Sequence, residues 1–173
     1  MTFHQLYKEY ASMSYNLALQ YLQNNEDAEE VVQDVFLSVY QNLESFKQQS
    51  AHSTWIYRIT INKCLDKLKS RNRTKRFAYI QSIFSLDDKN KVIESIEYNH
   101  PGVQLENKEQ VEIVFDAINK LNSNQKTALI LHKIEQLPQA QIAEIMGIST
   151  KAVESLIQRA KIKLSYLLNL SKD

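Results

Sequence analysis

The sequence predicts an all-α protein of two small helical domains, and three observations predict it. Only two glycines and two prolines occur among 173 residues. Sheet hairpins need many turn residues with positive φ, whereas long helices with short connections need few. Apolar residues recur at three- and four-residue intervals towards both ends of the chain. Between those stretches the periodicity weakens, acids accumulate and the step His100-Pro101-Gly102 breaks any helix.

The first helix is expected over Thr2 to Gln23, where Phe3, Leu6, Tyr7, Tyr10, Leu17 and Tyr21 fall on one face. Asn24 and Asn25 then offer capping side chains. Glu26, Asp27, Glu29 and Glu30 crowd the turn that follows, where carboxylates favour the positive end of the helix dipole. The second helix buries Val31, Val32, Val35, Phe36, Val39 and Leu43. After a polar loop from Lys47 to His52, Ser53 is placed to cap a third helix from Thr54 to about Ser70, with Tyr57, Ile61, Cys64, Leu65 and Leu68 inward. The lone cysteine, Cys64, reads as a reduced, buried thiol. Residues from about Tyr79 to Asn107 read as an acidic linker. Beyond it come helices over Val111 to Leu121, Gln125 to Ile134 and two more that end near Leu168.

The last two helices carry the sharpest local signal. Pro138 pre-sets φ for a first helical turn, and Ile142, Ala143 and Met146 supply one apolar side. Gly147 ends that helix because the residue after a helix usually adopts left-handed geometry, which only glycine takes cheaply. Ser149 can cap the next helix. A Gly-containing turn this short makes the two helices cross steeply, which is a helix-turn-helix. In the second of them Val153, Leu156, Ile157, Ala160 and Leu164 point inward, leaving Thr150, Lys151, Glu154, Ser155, Gln158 and Arg159 outward. All six can hydrogen-bond to base edges or phosphates, with Arg159, Lys161 and Lys163 suited to phosphate.

Net charge is only +1, so charge distribution carries more information than its sum. Arg58 to Arg76 holds eight basic residues and one acid, Asp66, whereas Gln81 to Ile118 holds eight acids and three lysines. After Asn119 there are eight basic residues and four acidic. On the third helix Trp55, Arg58, Asn62, Lys63 and Lys67 mix cations with an aromatic ring and an amide. That mixture suits unstacked bases on a tracked backbone, although Trp55 equally suits a core anchor for the preceding loop. Asp66 is expected to pair with Arg58 or Lys69.

The run Asp27-Ala28-Glu29-Glu30-Val31-Val32-Gln33-Asp34-Val35-Phe36, then Phe46, then Thr54-Trp55-Ile56-Tyr57-Arg58-Ile59 with Asn62 and Asp66, resembles the second conserved region of bacterial RNA polymerase sigma factors. Leu121 to Leu164 is similar to the fourth region, on Gln125, Ile142-Ala143-Glu144-Ile145-Met146-Gly147-Ile148-Ser149, Val153-Glu154-Ser155 and Arg159-Ala160. Having only those two regions matches the extracytoplasmic-function group. The resemblance covers residues 1–78 and 108–168 and implies a region 2 domain over 1–78, a linker over 79–107 and a region 4 domain over 108–170.

The resemblance also implies roles. Gln33, Asp34 and Phe36 would contact the clamp helices of core RNA polymerase. The loop from Gln48 to Ser53, with His52, Trp55, Asn62, Lys63 and Lys67, would hold the melted proximal promoter element. Thr150, Lys151, Glu154, Ser155, Gln158 and Arg159 would read the distal element as duplex. The acidic linker would run toward the RNA exit path, and an anti-sigma factor is an implied partner. His52 stands where many members have an aromatic residue, and Pro138 where a capping Ser or Thr is common.

Enzyme chemistry finds no support in the residues, which include no Gly-rich phosphate loop and no nucleophile elbow, and scatter His4, His52, His100 and His132 without ligand spacing. No cofactor is expected. The first residues carry no basic leader with an apolar core, so a cytoplasmic protein without membrane insertion is expected. Two rival readings are a helix-turn-helix regulator acting without polymerase and an all-helical protein-interaction module.

Overall fold

The structure, a computed structural model, describes residues 1–46, 50–84 and 108–170. Seven α-helices and no strand occur among them, in the order α1 (Phe3–Leu22), α2 (Asn25–Asn42), α3 (His52–Phe84), α4 (Lys108–Asn119), α5 (Ser123–Lys133), α6 (Gln139–Met146) and α7 (Thr150–Leu170). The His100-Pro101-Gly102 break and most of the expected linker lie outside the described residues.

Local chemistry explains several of the helix ends. Thr2 and Gln5 form a reciprocal cap on α1, each backbone N–H donating to the other's side chain. Asn24 caps α2 by accepting from the Asp27 N–H at 2.8 Å, and Asn122 caps α5 in the same way from Gln125 at 2.9 Å. The C-cap of α1 is Gln23 in left-handed geometry, φ 52°, where its buried amide donates to the carbonyls of Leu19 and Gln20. Expectation and structure part at α3. Ser53 does not cap it, since the helix is already formed at His52, and Trp55 N–H donates to the Ala51 carbonyl. The helix also continues through Phe84, past the expected end near Ser70 and into the segment expected as linker.

The N-terminal half packs α1, α2 and α3 around Leu6, Leu17, Val31, Val35, Val39 and Ile56, all essentially buried. In the C-terminal half α7 packs on α4, α5 and α6, with Ile142, Val153, Ile157 and Ala160 inward. Phe115, Ile118 and Leu121 form a smaller cluster under α7 with Leu129 and Ala160. The halves also touch. α3 packs on α6, and the main core cluster runs from Leu17 and Tyr21 through Ile61 and Cys64 to Ile130, Leu131 and Ile145. Patterning within each half had suggested two separately packed units.

Candidate nucleic-acid and polymerase interfaces

At the C-terminal half the helix-turn-helix forms as its residues require. Gly147 takes φ 66°; its N–H donates to the Glu144 carbonyl at 3.3 Å, and Ile148 N–H donates to Ala143 at 3.1 Å. This pair of bonds satisfies the end carbonyls of α6 and turns the chain. Ser149 Oγ then accepts from Ala152 N–H at 3.2 Å, while Pro138 offers no side-chain cap to α6. On α7, Thr150, Lys151, Glu154, Gln158 and Arg159 are exposed and Ser155 is half-buried, whereas Val153, Ile157 and Ala160 are buried. The expected outward row is therefore accessible. Arg159 folds back along its own helix, Nε donating to the Ser155 carbonyl at 3.2 Å.

The start of α3 gathers aromatic rings. Phe46 stacks on Trp55, centroids 4.5 Å apart and planes 21° from parallel, and meets His52 at 4.9 Å. Trp55 is half-buried against the core and His52 half-buried. The loop expected to complete a base pocket falls partly at 47–49, outside the described residues. Asn62 is exposed and lines a cleft of about 310 Å³ with Arg58, Asn124, Thr127, Met146 and Gly147.

The lysines of α3 are less free than their spacing suggests. Lys63, Lys67 and Arg71 recur every four residues and face the acidic start of α2. Lys63 lies 3.8 Å from Asp34; Lys67 pairs with Glu30 and with Asp27 at 3.1 Å; Arg71 reaches Asp27 at 3.1 Å and the Leu22 carbonyl at 3.3 Å. The hydrogen bond to Glu30, foremost, and Asp27 beside it raise the Lys67 ammonium above the ordinary lysine value despite burial. Lys67 therefore sits in an internal ion-pair network rather than standing free toward a strand. Asp66 pairs with Lys69 at 3.2 Å, as one expectation had it, and Arg58 does not take part.

On α2, Gln33 and Asp34 are exposed, but Phe36 is only 3% exposed. The sequence placed Phe36 both on the buried stripe and on the contact surface, and the structure keeps it inside. It packs edge-on against Tyr7 at 4.8 Å and Phe3 at 6.4 Å. The exposed apolar groups beside it are Leu37 and Tyr40, 56% and 66% exposed. Neither was expected from sequence, although a tyrosine and a leucine outside the buried stripe were a visible signal.

Residues with no motif of their own also join the two halves. Glu135 accepts from Gln20 Nε2 at 2.8 Å through one carboxylate oxygen and from the Tyr57 hydroxyl at 3.0 Å through the other. The buried Tyr21 hydroxyl donates to Thr127 Oγ1 at 2.6 Å, and Lys126 Nζ donates to the Tyr21 carbonyl at 2.9 Å and Asn119 Oδ1 at 2.7 Å. Burial pushes the Lys126 ammonium down to about 8. Arg58 donates to the carbonyls of Ile145 (3.1 Å) and Glu144 at the C-terminal end of α6.

Comparison with known proteins gives the frame for these surfaces. Residues 6–74 match the family model for sigma-70 region 2, and residues 112–164 match the model for sigma-70 region 4. The ECF RNA polymerase sigma-E factor of Haemophilus influenzae is 32% identical over 161 residues, covering 92% of this chain and 83% of that protein. The RNA polymerase sigma factor CnrH of Cupriavidus metallidurans is 28% identical over 150 residues, 85% of this chain and 76% of that protein. CnrH solved with the cytosolic domain of CnrY shares the fold, with a TM-score of 0.66 at 23% identity, covering 97% of this chain and 88% of that one. Sigma factor RpoE of Bartonella quintana, solved with the anti-sigma factor NepR, does so with a TM-score of 0.64 at 22% identity, each chain 96% covered. A free-standing helix-turn-helix regulator does not account for the region 2 match. With both regions in this order and a relative matched along most of its length, the chain belongs to the extracytoplasmic-function (ECF) group of RNA polymerase sigma factors.

Proposed function

We propose that this sigma factor binds core RNA polymerase through the exposed face of α2 around Gln33 and Asp34, with Leu37 and Tyr40 adding apolar area and Phe36 supporting them from beneath. The start of α3, with His52, Trp55, Asn62 and Lys63, holds the melted proximal element. Thr150, Lys151, Glu154, Ser155, Gln158 and Arg159 on α7 read the distal element as duplex. The observation that carries the reading is the outward polar row on α7, set immediately after the Gly147 turn with a buried apolar row behind it.

The protein acts as an initiation factor and not as an enzyme, in the cytoplasm, without a cofactor. Among the described residues no helix is long and apolar enough to cross a membrane. RpoE and CnrH were each solved with a second protein, NepR and CnrY, and an anti-sigma partner is proposed for this chain by extension. A net charge of +1 neutralises few phosphates, so the free chain binds duplex weakly and polymerase supplies the remaining contacts. Fluorescence polarisation with a promoter-like duplex tests the reading. Weak binding alone and tight, sequence-selective binding with core polymerase are expected; equal binding in both conditions would overturn it.

A further inference from the structure

We propose that the cleft between the end of α1, the middle of α3 and the start of α5 is a binding site for a nucleoside phosphate, a ligand with one flat apolar end and one multiply charged end. The inference goes beyond the sigma reading and does not rest on it. The cleft measures about 300 Å³, at the lower end of the range for small-molecule sites. None of the residues assigned above to promoter DNA or polymerase lines it.

Its floor consists of buried side chains, those of Tyr21, Leu22, Gln23, Leu121 and Lys126. Lys126 is the group that calls for a ligand. It is only 4% exposed, and both of its acceptors, the Tyr21 carbonyl at 2.9 Å and Asn119 Oδ1 at 2.7 Å, are uncharged. The Tyr21 ring, 5.2 Å from Nζ, is uncharged as well. An ammonium has three N–H donors, and none of the described contacts takes the third. Buried charges in proteins are normally paired. Here no Asp or Glu among the described residues lines the cleft, so an anion from outside is the missing partner.

The rest of the lining changes chemistry along α3. Leu65 and Leu68 are half-buried and, with Leu22 and Leu121, give the cleft an apolar wall. Further along the helix Lys69, Asn72 and Lys75 stand exposed at the rim. Lys69 has exposed Asp66 beside it, a surface pairing of little strength. Ser123 opens α5, so the positive end of that helix dipole faces the same space. The carbonyls ending α1 are already taken up, that of Leu22 by Arg71 and those of Leu19 and Gln20 by the Gln23 amide. Three ammonium groups and a helix start exceed what one carboxylate needs, which favours a phosphate monoester or diphosphate. The amides of Asn72 and Asn119 suit the edge of a base resting on the leucines. The buried floor forms an end wall, which suits a free nucleotide rather than a strand that must pass through.

Isothermal titration of the full chain with ADP tests the site, with adenosine, inorganic pyrophosphate and a short single-stranded oligonucleotide as the other probes. ADP is expected to bind, and adenosine and pyrophosphate about tenfold or more weakly, because each lacks one half of the ligand. Lys75→Glu, at an exposed position, should weaken ADP about tenfold, as loss of a hydrogen bond to a charged group does, while circular dichroism shows unchanged helicity. Burial holds the Lys126 ammonium down at about 8, and an anion beside it restores the proton. ADP affinity should therefore fall about fivefold from pH 7 to 9, and Lys126→Met should remove that fall. The other titratable groups against Lys126, the Cys64 thiol and the Tyr21 hydroxyl, are pushed up by burial and stay neutral over this range. Absence of binding at about 5 mM ADP, or binding that neither substitution changes, would overturn the site. An oligonucleotide that displaces ADP would give the cleft to a strand and overturn it equally. Transcription with core polymerase in the absence of nucleoside phosphates other than substrates reports on the sigma reading alone, so the two fail separately.

Discussion

Gly147 is the residue where backbone geometry alone decides the outcome. A Cβ built there meets nothing within 4 Å, yet φ is +66°. Gly147→Ala should therefore destabilise by about 1 kcal/mol, the cost of left-handed geometry for an L-residue, read as a shifted urea midpoint; an unchanged midpoint would contradict the turn geometry. Arg159 sits in the outward row of α7, bonded only to its own helix in the contacts seen. Arg159→Ala should weaken distal-duplex binding by polymerase holoenzyme and lower the salt slope by about one, as loss of one phosphate contact does. Gly147, Ser149 and Asn24 were legible in the sequence because a cap or left-handed turn is decided by neighbours within four residues. Ser53 misled for the same local reason: it has the right chemistry for a cap, but the helix had begun one residue earlier.

Among the elements, α3 shows where patterning runs out. Past Arg71 it reads Asn-Arg-Thr-Lys-Arg, five exposed residues with no apolar side chain among them, so the periodicity is interrupted before the helix ends at Phe84. Its basic face was legible, but its division of labour was not, since that depends on α2 lying alongside. Lys67, with Asp27 and Glu30 against it and 22% side-chain exposure, belongs to the α2–α3 packing. Lys67→Ala should cost on the order of 1 kcal/mol of stability and leave binding to forked DNA within about twofold; a tenfold loss of binding at normal stability would return it to the strand surface. Asp34 is 54% exposed in its side chain, and its only pairing seen is the long contact with Lys63. Asp34→Arg should abolish co-purification with core polymerase while circular dichroism shows unchanged helicity.

Across the whole molecule, the joining of the halves was invisible to sequence reasoning because Tyr21, Tyr57, Lys126 and Glu135 have no mutual spacing; they meet only once both halves are folded. Six bridging hydrogen bonds at about 0.5–1.5 kcal/mol each amount to a moderate attraction. Burying Lys126 opposes it: a value of about 8 against the ordinary 10.5 corresponds to about 3 kcal/mol. That penalty is fully present below pH 8, where the ammonium is charged both folded and unfolded. It is relieved between 8 and 10.5, where the unfolded chain holds the extra proton, so stability rises with pH there. From pH 9 upward Cys64, which burial pushes up to about 12, acts in the opposite direction. Stability should therefore rise by about 1 kcal/mol between pH 7 and 9, and Lys126→Met should remove that slope in urea titrations; a variant that keeps it would contradict the assignment.

The central claim is that one half grips polymerase and opened strand while the other reads closed duplex. Transcription by purified core polymerase from a library of random promoters, with this chain as the only added factor, tests it most directly. RNA should start at a restricted set of sequences sharing two separated elements, and none should start without the chain. If no sequence in the library supports initiation while an authentic sigma factor succeeds alongside, the account is contradicted.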